Sequence, residues 1–229
     1  MPKVRVAVIH YNNWELTHAR LWELYRHEKD FLEEVLVVDD GSVDNMTEGG
    51  LRWWAEFRVR SNFKVEALVL EENVNFLLAA NAGMKLLADR SEPDDIIILL
   101  SNDVKIMTKF VGQITEILSQ PKKLVGGTLY THDTGWNNFN GKIFPYLEGW
   151  LIATTAATWK ELNYFDERYV PHDFEDVDLS TTALSLGMEL IPLNNPGLQH
   201  IGGQSIGYSP AREAITRTNL KKFGDKWIK

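Results

Sequence analysis

Cysteine is absent from the 229-residue chain. Disulfides, thiolate nucleophiles and cysteine-bound zinc are thereby excluded. Also missing is any apolar run approaching the ~18 to 20 residues that a membrane-spanning helix needs. The opening stretch MPKVRVAVIHYNN holds only a short apolar segment, which suits a strand and not the apolar region of a signal peptide. A cytoplasmic location is therefore expected, with peripheral contact at a membrane surface left open. Basic charge is scarce: 24 Lys and Arg stand against 32 Asp and Glu, a formal net charge of −8. A general nucleic-acid binder presents a basic face, so nucleic acid is not expected as a partner. A single nucleotide remains open, because a bound metal can supply positive charge. Neither the G-x-G-x-x-G of a dinucleotide site nor the G-x-x-x-x-G-K-[ST] of a P-loop occurs in the first half. Phosphates bound there must lean on a cation rather than on a glycine-rich helix start.

What is present is an ordinary apolar content of 44% with abundant aromatics: eight Trp, seven Tyr and ten Phe. Many belong in a core, yet such rings also suit stacking on sugars or bases. The pattern of the first half alternates strand and helix. Strands are expected at 4–9, 35–38, 65–70 and 96–100, and helices at 14–27, 46–58 and 77–88. That alternation predicts βαβ units and a mostly parallel sheet. Further on, helices are expected at 109–118, 157–162 and 176–186, strands at 124–129 and 188–191, and a polar loop at 131–140. An amphipathic helix over 210–223 closes the chain, its basic residues late, where they suit the helix dipole. No internal repeat or linker is visible, so one α/β domain is expected.

The strand ends carry the chemistry. Tyr11, Asp39 and Asp103 follow the first, second and fourth strands, at the carboxyl edge where open α/β sheets bind ligands. A ring can stack on a base, one carboxylate can accept from a base or ribose, and another can hold a hard cation that neutralises a diphosphate. Each also has a plainer reading: packing for Tyr11, a turn for Asp39-Asp40-Gly41-Ser42, a strand cap for Ser101-Asn102-Asp103. The run Phe174-Glu175-Asp176-Val177-Asp178 crowds three carboxylates. Either they complement a helix N-terminus, or one serves as general base on an acceptor hydroxyl. His200, ahead of Gly202-Gly203, is a candidate neutral ligand to the same cation. Trp150, with Trp136 and Tyr146 near it in sequence, is a candidate stacking wall for sugar, with core packing the expected role for at least one of them.

In their order these motifs resemble family 2 glycosyltransferases. The resemblance is carried by Val37-Val38-Asp39-Asp40-Gly41-Ser42, then Asn73-Val74-Asn75-Phe76 to Asn81-Ala82-Gly83, then Leu99-Leu100-Ser101-Asn102-Asp103-Val104. It continues through Gly149-Trp150, Phe165-Asp166-Glu167, Glu175-Asp176-Val177-Asp178-Leu179, and His200 with Gly202-Gly203-Gln204-Ser205. It is similar above all to the rhamnosyltransferase-type branch. The resemblance implies a GT-A fold, a Rossmann-like mostly parallel sheet flanked by helices, spanning a nucleotide half at 1–104, an acceptor half at 105–209 and a C-terminal helix at 210–229. It implies inverting transfer from a nucleoside-diphosphate sugar, with Mn²⁺ or Mg²⁺, to a glycan, a lipid-linked sugar or a protein-linked sugar. UDP- or dTDP-sugars are favoured and GDP-sugars stay open.

Carried over by residue, the resemblance has His10, Tyr11, Asn12, Asp39, Asn81, Asn102 and Asp103 contacting the donor, with Asp103 and His200 on the metal. Asp176 becomes the catalytic base, Glu175 its neighbour, and Gly149 and Trp150 part of the sugar or acceptor subsite. Two departures stand out: Asn75 where the family commonly has glycine, and Asn102 in place of an acidic residue. The second leaves room for a catalytically silent sugar- or nucleotide-binding module of the same fold. A sugar nucleotidylyltransferase fits less well, because His10-Tyr11-Asn12-Asn13 is not a glycine-rich, arginine-bearing loop.

Overall fold

The structure is a computed structural model that describes residues 2–43, 50, 62–202 and 209–228. The helix expected over 46–58, Gly50 apart, and the Gly203-Gln204-Ser205 motif lie outside these residues. In chain order the first half runs β1 (Val4–His10), α1 (Trp14–Glu28), β2 (Glu34–Asp39), β3 (Lys64–Val69), α2 (Phe76–Asp89) and β4 (Ile96–Ser101). Then come β5 (Val104–Ile106), α3 (Val111–Leu118), β6 (Lys123–Gly126), β7 (Leu129–Tyr130), β8 (Asn138–Phe139), β9 (Lys142–Ile143) and β10 (Tyr146–Leu147). The chain closes with β11 (Leu151–Thr155), α4 (Ala156–Leu162), a 3₁₀ turn at Glu167–Tyr169, α5 (Glu175–Ser185), β12 (Glu189–Pro192), β13 (Leu198–His200) and α6 (Pro210–Trp227).

Among the described residues the central sheet has seven strands in the order β12-β6-β11-β4-β1-β2-β3. The block β4-β1-β2-β3 is parallel, and β11 runs antiparallel to both β4 and β6. Every residue of β1 and β2 is buried, which explains why these strands read as unbroken apolar runs. Alternate side chains serve opposite faces. Ala7, Ile9, Leu36, Val38, Ile97 and Leu99 pack toward α2, whereas Val6, Val8, Val35, Val37, Ile98 and Leu100 pack toward α1 and α3. The sheet core is therefore closed by helices on both sides.

β11 departs from the expected elements, since no strand is expected between the 131–140 loop and the helix at 157–162. The strand expected at 124–129 ends at Gly126, and Leu129–Tyr130 pairs instead with β10. The polar stretch at 131–140 contributes to the small hairpin of β8 and β9. The pair β5 and β13, antiparallel with Val104 opposite His200, lies outside the main sheet. α1 holds this pair in place. Buried Arg20 donates to the Val104 carbonyl at 2.6 Å, and Glu23 accepts the Ile106 N–H at 2.6 Å.

Candidate active site

The strand order places a crevice. The chain moves outward from β1 through β2 to β3, then returns to β4 on the other flank of β1, so the carboxyl ends of β1 and β4 border a switch point. Tyr11, half exposed, and Asn12 follow β1 there. The Asn12 N–H donates to Ser42 Oγ at 2.9 Å, and its Oδ1 accepts the Val43 N–H at 2.8 Å. Asp39 accepts the Ser42 N–H at 2.9 Å, and Asp40 accepts the Val74 N–H at 2.7 Å. The two loops are thus clasped to each other. Gly41 is required at the turn: its φ is +65° and an added Cβ would lie 2.3 Å from the Glu72 carbonyl carbon. Asn75 has φ of 80°, the side of backbone space that favours glycine, so the expected departure at this position keeps a glycine-like backbone.

Beneath this edge sits a polar group that explains Asn102. Asn102 is 2% exposed, and its amide donates to Thr17 Oγ1 at 3.0 Å. Thr17 Oγ1 lies 2.9 Å from His10 Nδ1, and the His10 ring stands edge-on to Trp14. A neutral amide, a hydroxyl and an imidazole can share such a pocket, whereas a carboxylate in place of Asn102 would carry a desolvation cost that the amide avoids. The side chains of His10 and Asn102 therefore support the edge from inside rather than projecting from it.

Asp103 and His200 are brought together by the β5–β13 ladder. His200 Nε2 is 3.4 Å from Asp103 Oδ1, which also accepts the Ser101 hydroxyl at 2.6 Å. Burial would raise the Asp103 pKa, but His200 and Ser101 outweigh it and hold the carboxyl below its usual range. For His200, burial opposes protonation, yet Asp103 and then Glu148 raise its pKa. Among the described residues no set of three or more His, Cys, Asp or Glu side chains converges to hold a metal. Asp103 and His200 are a two-donor pair, one carboxylate oxygen and one imidazole nitrogen, of types that can bind a divalent cation.

Trp150, expected as a sugar-stacking wall, is 8% exposed and belongs to the core. Its indole stacks on the His200 ring, centroids 5.5 Å apart, and lies over Gly127, where an added Cβ would be 1.8 Å from it. Tyr130 and Tyr146, both half-buried, stack with centroids 5.1 Å apart, and Trp136 is exposed.

The carboxylates of α5 differ in surroundings: Asp176 lies off the helix face that Glu175 and Asp178, three residues apart, share. Asp176 Oδ2 accepts the Gly149 N–H at 3.1 Å. Burial, opposed by the Val177 and Gly149 N–H groups and aided by Glu148 and Asp173, pushes its pKa up to about 7. Glu175 is more deeply buried, and burial together with Asp176 raises its pKa well above normal. Asp178 turns inward, accepting from Tyr169 at 3.0 Å, Lys226 at 2.8 Å and Trp227 at 2.7 Å. The two residues before α5, Asp173 and Phe174, have φ of 70° and 78°. Such backbone costs about 1 to 3 kcal/mol per residue unless its surroundings enforce it. Here α6 does so: Arg212 and Thr216 bond Asp173, and Phe223 packs on Phe174.

Asn81 stands apart from this group. Both ends of its buried amide bond the Phe165 backbone, at 2.9 and 3.0 Å, tying α2 to the loop before the 3₁₀ turn. Glu148 and Thr17 belong to the site's framework although no motif points to them. What places them in the site, His200 for Glu148 and Asn102 for Thr17, lies on distant segments, so sequence spacing carries no signal for either.

Residues 5–177 match the model of the family described as Glycosyl transferase family 2. No curated protein sequence is significantly similar to the chain. Among solved structures, a mannosyltransferase, PcManGT from Pyrobaculum calidifontis in complex with GDP-Man and Mn²⁺, is similar at 20% identity with a TM-score of 0.68, over 89% of this chain and 58% of that one. GalNAc-T7 with UDP, GalNAc and Mn²⁺ is 12% identical with a TM-score of 0.67, over 84% and 42%. S. aureus TarS 1-349 in complex with UDP is 18% identical with a TM-score of 0.62, over 95% and 64%. The chain thus spans less than two thirds of each of these structures, and at such identities they speak to the fold, which is GT-A. Because the family match covers both the clasped loops at Asp39 and the start of α5 at Asp176, the chain belongs to glycosyl transferase family 2.

Proposed function

We propose that this protein is an inverting, cation-assisted glycosyltransferase that moves a sugar from a nucleoside diphosphate to an acceptor hydroxyl. The observation that carries this reading is the segment Glu148-Gly149-Trp150. Its Gly149 N–H holds the Asp176 carboxylate, while its neighbours hold His200, and through His200 face Asp103. One short segment thus spaces a candidate base from a candidate cation pair.

Tyr11, Asn12 and Asp39 receive the base and ribose, at the clasped loops. Asp103 and His200 would hold a Mn²⁺ or Mg²⁺ ion, which would offset the charge of the departing diphosphate. Asp176 takes the proton of the acceptor hydroxyl as that oxygen bonds to the anomeric carbon and the bond to the diphosphate breaks. A single displacement of this kind inverts configuration. A carboxyl whose pKa lies near 7 is matched to that task at neutral pH. Glu175, its pKa raised by burial and by Asp176, positions the base from the preceding residue. Tyr130, Tyr146 and Trp136 offer stacking faces for a glycan, lipid-linked or protein-linked acceptor. The similar structures carry GDP-mannose in one case and UDP in others, so both bases belong in the test. UDP- and dTDP-sugars are favoured, on likeness to the rhamnosyltransferase-type branch, and a cytoplasmic setting suits such donors.

A panel of UDP-, dTDP- and GDP-sugars, scored for released nucleoside diphosphate with and without Mn²⁺, tests the proposal. Release from one donor class that requires the cation is the expected result. Donor binding without turnover across the whole panel would mark a silent binding module instead.

A further inference from the structure

Glu148 lies between the two halves of the site. Its Oε2 accepts the Trp150 indole N–H at 3.1 Å, while its Oε1 is 3.7 Å from His200 Nδ1. The His200 ring is fixed on its face by Trp150, their planes 19° from parallel, and at its far nitrogen by Asp103. The two ring nitrogens therefore look at two different carboxylates. Ile201, next in the chain, is anchored as well, its N–H donating to the Asp103 carbonyl at 3.1 Å.

A neutral imidazole carries one N–H and one lone pair, and the bond made by one nitrogen decides what the other offers. For His200 to share a cation with Asp103, Nε2 must present the lone pair, which puts the hydrogen on Nδ1, facing Glu148. The 3.7 Å separation is an ion-pair distance. A shift of about 1 Å brings it into hydrogen-bond range.

We infer that Glu148 is a positioning residue: it accepts the Nδ1 hydrogen of His200 and so turns the Nε2 lone pair toward a cation held with Asp103. This rests on the cation reading of Asp103 and His200 given above. A carboxylate serving only to anchor the Trp150 indole would leave the His200 nitrogens unaffected.

The test uses the full chain and Mn²⁺ alone, with free Mn²⁺ read by electron paramagnetic resonance. The parent is compared with Glu148→Ala, Glu148→Gln, His200→Ala and the Glu148→Ala/His200→Ala double variant. Nitrogen-15 NMR of the His200 ring, recorded with Mg²⁺, reports which nitrogen bears hydrogen. Glu148→Ala is expected to weaken Mn²⁺ binding about 10- to 100-fold and to lose the Nδ1–H signature. Glu148→Gln, whose single amide oxygen can accept from His200 or from the Trp150 indole but not from both, is expected to restore only part of each. In the His200→Ala background the Glu148 change adds nothing. The inference is overturned if Glu148→Ala binds Mn²⁺ like the parent, or loses as much affinity without His200 as with it. If His200→Ala itself leaves Mn²⁺ binding unchanged, the cation reading falls and takes this inference with it.

Discussion

Asp176 and Asp178 are two residues apart and face opposite tasks. Asp178 is surrounded by three donors, whereas among the described residues Asp176 accepts from main-chain N–H groups and lies near three further carboxylates, Glu148, Asp173 and Glu175. That contrast separates a structural charge from a usable base. Because the Asp176 pKa is raised to about 7, its deprotonated, active form accumulates as pH rises through that value. Turnover measured from pH 5.5 to 9 is expected to show an acidic limb with an apparent pKa near 7. A rate flat across this range would contradict the assignment. Gly41 makes a second residue-level prediction. Gly41→Ala forces a Cβ into the Glu72 main chain at positive φ, and should cost more than ~1 kcal/mol in urea unfolding while weakening nucleotide binding.

At the scale of elements, the site depends on how α6 and the β5–β13 ladder hold loops in place. α6 restrains the left-handed pair Asp173–Phe174 through Arg212, whose guanidinium donates to Asp173 at 2.8 Å. Arg212→Ala should lower turnover about 10- to 100-fold by misplacing Asp176, and change the donor Kd far less, in paired kinetic and calorimetric measurements. Lys226→Met removes the cation that neutralises Asp178. A cost of about 2 kcal/mol is expected from denaturant titration, below that of a fully broken buried pair because Tyr169 and Trp227 still donate.

Sequence patterning anticipates the elements whose partners follow one another in the chain. β1, β2 and β4, buried on both faces, announce themselves as apolar runs, and the αβ alternation implies their parallel pairing. β11 runs directly into α4, with Thr155 ending the strand and capping the helix, so no turn residue separates them. β5 and β13, three residues each, exist through pairing across nearly a hundred residues and have no local signature. The same holds inside the site: Asp176 and Asp103 stand in recognisable runs, while Glu148 gains meaning only once His200 folds against it. Trp150 and Asn102 show the converse, residues conspicuous in sequence whose side chains are taken up by packing and by Thr17.

At the scale of the whole molecule, paired carboxylates set how stability responds to pH. Neighbouring cations and hydrogen-bond donors overcome burial at Asp166 and Asp173 and hold both carboxyls well below the usual range. A depressed folded-state pKa gives stability that is present above about pH 4 and is lost as pH falls toward the folded values. Unfolding midpoints should therefore drop steadily below pH 4. The chain spans 58% of the mannosyltransferase it resembles, and the described residues contain no helix long and apolar enough to cross a membrane.

The central claim is that Asp176 is the base while donor binding is the work of other residues. It is tested most directly by measuring the donor Kd and the transfer rate of Asp176→Asn beside the parent. A donor Kd changed by less than about threefold and transfer reduced by about 10² to 10⁴ are expected. Transfer at the parent rate would contradict it.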